Sequence, residues 1–164
     1  MFYQEVFEAL QRNRVRYLIV GGVAINLHGI PRMTYDLDLM IALDEENIRR
    51  AWKSLTDAGF SPRVPIKESD LVDRTRRMEL KEKKNMLVAS FIQGAREFHV
   101  VDIFIENPID FDICYAHKLL VSAGGIDLPV IDIQYLIAMK KLSNRKQDID
   151  DMASLNQLMK NHHG

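Results

Sequence analysis

The sequence predicts an α/β (α+β) domain: a mixed sheet of four to five strands flanked by helices, with a helical pair at the C-terminal end. Three observations lead there. Apolar runs too short for helices, such as Tyr17–Val20 and Met86–Ile92, alternate with stretches of helical periodicity. Glycines and prolines punctuate the junctions. The chain has 164 residues, 47% of them hydrophobic, enough to bury a core without cross-links.

The elements follow in order. Phe2, Val6, Phe7 and Leu10 line one face of a first helix. Tyr17–Val20 is a buried strand ended by Gly21-Gly22, and Val23–His28 is a helix stopped by Gly29 and Pro31. Thr34–Leu43 reads as a second strand, with Tyr35, Leu37, Leu39 and Ile41 facing a core. Asp44 caps a helix from Glu45 to Ala58, whose buried stripe is Ile48, Ala51, Trp52 and Leu55. Arg63–Lys84 carries Pro65, with Pro62 just before it, and many charges, and reads as a loop followed by a short helix or irregular arm. Met86–Ile92 and Phe98–Glu106 form a hairpin across Gln93–Glu97. Tyr115–Val121 is ambiguous, Ser122–Gly125 is a turn, and Ile126–Ile131 is a short strand. Asp132 caps a helix through Leu142, and a last helix spans about Gln147–Met159 with Ile149, Met152, Ala153, Leu155 and Leu158 inward. Residues 1–164 then make one domain, an α/β core over about 1–131 and a helical cap over about 132–161.

Composition excludes several classes. Lys and Arg number 22 against 23 Asp and Glu, a net charge of −1. Such a balance gives no global pull toward nucleic acid or an anionic membrane. A single cysteine, Cys114, excludes an internal disulfide framework and a Cys-based zinc site. The longest apolar run, Tyr17–Ile25, has 9 residues with two glycines, where a bilayer needs about 20. Met1–Leu10 begins in an acidic amphipathic pattern and not a signal peptide. The expectation is a cytoplasmic protein with no membrane partner.

Carboxylates carry the chemistry. On a strand, Asp36 and Asp38 point to the same side. Two like charges so placed repel, unless a divalent cation sits between them, as Mg²⁺ does with paired carboxylates and substrate phosphates. Asp102 lies within Phe98–Ile105, the most apolar strand, where an unpaired carboxylate is costly. It therefore needs either a basic partner or a metal shared with Asp36 and Asp38. Gly21-Gly22 ends a strand and opens a helix, a place where backbone N–H groups face an anion or where glycine merely makes a tight turn. The pair is neither a dinucleotide fingerprint nor a Walker A loop. The five histidines show no metal-ligand spacing.

Taken in chain order, Val20-Gly21-Gly22, Tyr35-Asp36-Leu37-Asp38-Leu39 and Val101-Asp102-Ile103 resemble the nucleotidyltransferase superfamily that includes DNA polymerase β. The closer resemblance is to the small AbiEii-like nucleotidyltransferases. These carry Arg-x-Thr before the aspartates, here Arg32-Met33-Thr34, and a late helix like Leu136–Lys140 followed by Arg-x-x-Asp, here Arg145–Asp148. The resemblance runs from about Tyr17 to Leu155. One departure is Gly22, which stands where the polymerase-type pattern has serine, so that phosphate contact would rest on backbone N–H groups.

The resemblance implies a nucleotidyltransferase-type fold and transfer of an NMP from an NTP to an acceptor, with release of pyrophosphate. It makes Asp36, Asp38 and Asp102 the catalytic and metal-ligating residues, with Mg²⁺, or Mn²⁺ in its place, as cofactor. Gly21, Gly22, Arg32, Thr34 and Lys140 would bind the nucleotide, with Asp148 either orienting Lys140 or capping the last helix. Relatives use tRNA, protein hydroxyls or small drugs as acceptors, and the small size suggests an open cleft or a homodimer. The competing reading is a non-catalytic nucleotidyltransferase-fold protein that binds a cognate toxin or antitoxin partner; retention of all three carboxylates counts against it. A metal-dependent phosphohydrolase is weaker, for want of histidine ligands. The basic segment Arg74–Lys84 is either an acceptor-binding arm or, as its interleaved acids favour, a solvated helix.

Overall fold

Seven strands, more than the four to five expected, form one mixed sheet in a computed structural model that describes residues 1–94 and 96–163. The elements run α1 (Gln4–Arg12), β1 (Tyr17–Val20), α2 (Gly21–Leu27), β2 (Asp36–Ile41), α3 (Glu45–Asp57), β3 (Ser61–Pro62), α4 (Glu68–Val72), α5 (Arg74–Lys84), β4 (Val88–Gln93), β5 (Arg96–Phe104), α6 (Phe111–Ala116), β6 (Leu119–Ala123), β7 (Ile126–Val130), α7 (Ile133–Ser143) and α8 (Lys146–His162). The strand order is β3-β4-β5-β2-β1-β7-β6. β2 is antiparallel to β1 and parallel to β5, and β1 is parallel to β7.

The extra strands have local causes. β3 is a two-residue edge strand against β4, a position where Pro62 loses nothing by lacking an N–H. The ambiguous stretch splits: Tyr115 and Ala116 end α6, and Leu119 opens β6. Gly124 and Gly125 both take positive φ and turn β6 into β7. The expected β4–β5 hairpin forms, although Ala95 in its turn lies outside the described residues. Arg63–Lys84 holds two helices where a loop followed by one short helix or an irregular arm was expected. Asp73 explains the break, because its carboxylate accepts from the Thr75 and Arg76 N–H groups and starts a new helix. The expected caps Asp44 and Asp132 accept from Asn47 and Gln134 in the same way.

Three expectations of burial fail. Phe2 is exposed because Tyr3, at φ 63, breaks the helical path before α1 begins at Gln4. Tyr35 is exposed because β2 starts one residue later, so the alternation does not reach it. On α8, Ile149 and Ala153 face outward while Asp148, Asp151 and Leu155 are buried. The core lies along Leu18, Ile19, Leu37, Leu39, Val101 and Ile103 of the central strands, against Phe7 and Leu10 of α1 and Ile48 and Leu55 of α3. Trp52 meets the fully buried Phe91 edge to face at 5.3 Å. Among the described residues no helix is long and apolar enough to cross a membrane.

Phe91→Ala is expected to lower stability by about 3–5 kcal/mol, seen as a lower urea midpoint with little change in slope. Phe98→Ala, which truncates a side chain 78% exposed, should stay within about 0.5 kcal/mol of wild type.

Candidate active site

β2 brings the acids together. Its Asp38 is in register with Val20 of β1 on one side and with Asp102 of β5 on the other, while Asp36 pairs with Val100. Neighbouring strands run about 4.8 Å apart, so Asp38 and Asp102 adjoin on one face and Asp36 follows two residues along it. Asp36 is exposed, Asp38 and Asp102 half-buried. Burial pushes the Asp38 carboxyl up to about 7, and the charges of Asp102 and Asp36 add to the rise, while Lys140 and Arg145 oppose it. Burial also raises Asp102, against a hydrogen bond from the Ser90 hydroxyl and with Asp36 adding to the rise. Among the described residues no three His, Cys, Asp or Glu side chains are already closed around a metal position. The donor set nevertheless suits a hard divalent cation: it offers adjoining, mutually repelling oxygen ligands.

The two glycines pack directly against these residues. Gly21 takes φ +66, and a Cβ there would lie 2.2 Å from Asp38 Oδ2. At Gly22 a Cβ would lie 2.8 Å from Thr34 Oγ1 and 3.1 Å from Arg32 Nη1. The room a serine would need at position 22 is thus filled by Thr34 and Arg32. No side chain caps the first turn of α2, so its N–H groups have no side-chain partner at the cap. Arg32 Nε is buried without a hydrogen-bond partner among the described residues.

Behind the acids lies a buried ion cluster. Lys140 Nζ is 3.0 Å from both Asp148 Oδ1 and Asp151 Oδ2. Asp151 in turn lies 3.1 Å from Arg32 Nη1 and is its ion-pair partner. Asp148 performs both roles weighed for it. It holds Lys140, and it accepts from the Arg145 N–H at 3.0 Å to cap α8. Burial alone would raise the Asp148 carboxyl. The Ser143 hydroxyl, the Arg145 N–H and Lys140 outweigh it and hold the group well below the usual carboxylate range.

The structure therefore brings Gly21, Gly22, Arg32, Thr34, Asp36, Asp38, Asp102 and Lys140 to one end of the sheet. Sequence reasoning missed Asp151, Ser90 and Tyr3. Asp151 had a signal: with Asp148 and Leu155 it forms a helical stripe facing Lys140. Ser90 and Tyr3 had none. The Tyr3 hydroxyl accepts from the Val100 N–H at 3.1 Å and donates to the Tyr35 carbonyl, with the Val100 carbonyl 3.0 Å away. Burial pushes its pKa up to about 12 against the Val100 backbone bond, and the charges of Asp36, Asp102 and Asp38 add to the rise, so it stays a neutral donor. The basic segment is partly consumed by structure. Arg76 pairs with Asp70 and Glu79, and buried Arg77 donates to the Leu71 and Val72 carbonyls.

The sequence matches no protein-family model and no curated protein. Solved structures do share the fold. A putative nucleotidyltransferase from Thermotoga maritima, TM1012, is 16% identical with a TM-score of 0.55, over 96% of this chain and 90% of that one. The lincosamide antibiotic adenylyltransferase LnuA, bound to lincomycin, is 13% identical with a TM-score of 0.61, over 93% of each chain. ANT(2")-Ia in complex with adenylyl-2"-tobramycin is 11% identical with a TM-score of 0.59, over 94% and 86%. The mixed α/β architecture is thus one found in nucleotidyltransferases.

The Asp148 carboxyl is depressed in the fold, so its stabilising contribution is full above its unfolded value of about 3.9. That contribution is lost as pH falls through the folded value. Asp148→Asn should cost about 3 kcal/mol at pH 7, the low end for a broken buried pair because Lys140 keeps Asp151. In urea titrations at several pH values, the gap between variant and wild type should shrink below about pH 4.

Proposed function

We propose that this protein is a Mg²⁺-dependent nucleotidyltransferase, in which Mn²⁺ can replace Mg²⁺, that moves an NMP from an NTP to an acceptor hydroxyl or phosphate. The observation that supports it best is the convergence of three carboxylates on adjacent strands with a glycine turn and a cationic wall. The fold shared with adenylyltransferases agrees with it. In this reading residues 1–131 are the catalytic core and 132–161 a cap that carries Lys140, acting in the cytoplasm.

Each residue then has a task. Asp36, Asp38 and Asp102 would hold divalent cations, which neutralise charge developing on the phosphates and lower the pKa of the attacking hydroxyl. The N–H groups at Gly21 and Gly22 bind phosphate oxygens, with the Arg32 guanidinium beside Gly22 adding positive charge. Thr34 Oγ1, standing beside Gly22, supplies the hydroxyl that glycine lacks. Lys140, fixed between Asp148 and Asp151, opposes the rise at Asp38. An acceptor oxygen attacks the α-phosphorus, the bond to the β-phosphate oxygen breaks, and pyrophosphate leaves with that electron pair. Asp102, on the strand farther from the glycines, receives the acceptor proton. The acceptor is an RNA, a protein or a small molecule; LnuA and ANT(2")-Ia, whose complexes hold lincomycin and adenylyl-2"-tobramycin, give the small molecule precedence.

The test incubates the protein with Mg²⁺ and each labelled NTP in a cell extract. Label is expected on one acceptor class, and Asp36→Ala/Asp38→Ala should reduce transfer by roughly 10³-fold, about 4 kcal/mol of barrier. No transfer from any NTP, with no difference between variant and wild type, would refute the enzyme.

A further inference from the structure

We propose that Tyr3 is a positioning residue for the acids: its hydroxyl ties the start of β2 to β5 and so holds Asp36 alongside Asp102. This rests on the function proposed above. The tie sits where the β2–β5 ladder ends. Val100, which donates to the Tyr3 hydroxyl at 3.1 Å, is the register partner of Asp36. Tyr35, whose carbonyl accepts from it, is the residue before Asp36. One hydroxyl thus stands in for the next rung of the ladder, at the point where the sheet would otherwise fray.

That rung opposes a specific force. Asp36 is exposed and shares its face with Asp38 and Asp102, so repulsion drives the free end of β2 away from β5. Upstream, Met33 and Tyr35 are exposed and contribute no core packing. The side-chain hydrogen bonds of residues 33–36 stay within the segment, from Thr34 Oγ1 to the Asp36 carbonyl at 3.4 Å and from the Tyr35 hydroxyl to Met33 Sδ at 3.6 Å. Tyr3 is itself held firmly. Its ring lies 5.7 Å from His99 and 6.5 Å from Phe60. Its backbone takes φ 63, a left-handed conformation uncommon for a bulky residue, which persists where surrounding contacts over-determine it.

Tyr3→Phe deletes the hydroxyl and keeps the ring packing, so the variant should fold with a thermal midpoint within a few degrees of wild type. Mn²⁺ binding, read from the electron paramagnetic resonance of free Mn²⁺, is expected to weaken about tenfold, the worth of one such hydrogen bond. Turnover should fall by about the same factor while KM for the NTP stays within about twofold. Tyr35→Phe, which leaves the tying carbonyl in place, should match wild type in all three. If Tyr3→Phe equals wild type in Mn²⁺ affinity while Asp36→Asn loses it, the positioning role is overturned and the nucleotidyltransferase reading stands. A lower midpoint with unchanged Mn²⁺ affinity likewise overturns it, since the hydroxyl would then serve the fold alone. Wild type that neither binds Mn²⁺ nor transfers a nucleotide overturns both.

Discussion

Repulsion among Asp36, Asp38 and Asp102 is the constraint to which the rest of this end of the sheet answers. Three carboxylates on two adjacent strands can be held there because β2 is anchored below them. Leu37, Leu39, Met40 and Ile41 are buried, and both flanking strands pair with β2 through Asp38. The neighbours are shaped by the same crowding. Position 21 admits only glycine, because the Asp38 carboxylate fills the space of a side chain there. Ser90 gives Asp102 a hydrogen bond that partly offsets its burial.

Counter-charge comes from the far end of the chain. Lys140 and Arg145 act on Asp38 from α7 and the start of α8, and Asp151 links Lys140 to Arg32. α7 buries Leu136 and Ile137 in the core, whereas α8 is held to the site largely through ions, with Leu155 as its buried apolar residue. Such a cluster is costly to break piecemeal, because losing one member strands another charge in a poorly solvated place. It also explains why α8 presents acids inward and leaves Ile149 in solvent.

Much of this was legible in the sequence, for identifiable reasons. Strand alternation alone puts Asp36 and Asp38 on one side, and the Asp102 anomaly within an apolar strand pointed to the neighbour it has. The caps at Asp44 and Asp132 followed from local chemistry. What stayed hidden depends on tertiary contact. Tyr3 meets Val100 and Tyr35 across the fold, and nothing near it in sequence announces that. The α8 face was misread because apolar periodicity was counted and the Asp148–Asp151 spacing was not. Tyr35 was placed inward because the strand was drawn too long by two residues at its start, Thr34 and Tyr35.

The interior strand β1 joins partners far apart in the sequence, β2 next to it in order and β7 after most of the chain has intervened. The second junction, with Ile131 N–H donating to the Ile19 carbonyl at 3.1 Å, closes a very long loop. Non-local parallel pairing of this kind is slow to form. Lys140 lies beyond β7, so the folding order carries over to the electrostatics. A partly folded chain lacks the charges of Lys140 and Arg145, which oppose the rise at Asp38 only once the last helices dock. The counter-charge at Asp38 thus arrives with the last part of the fold.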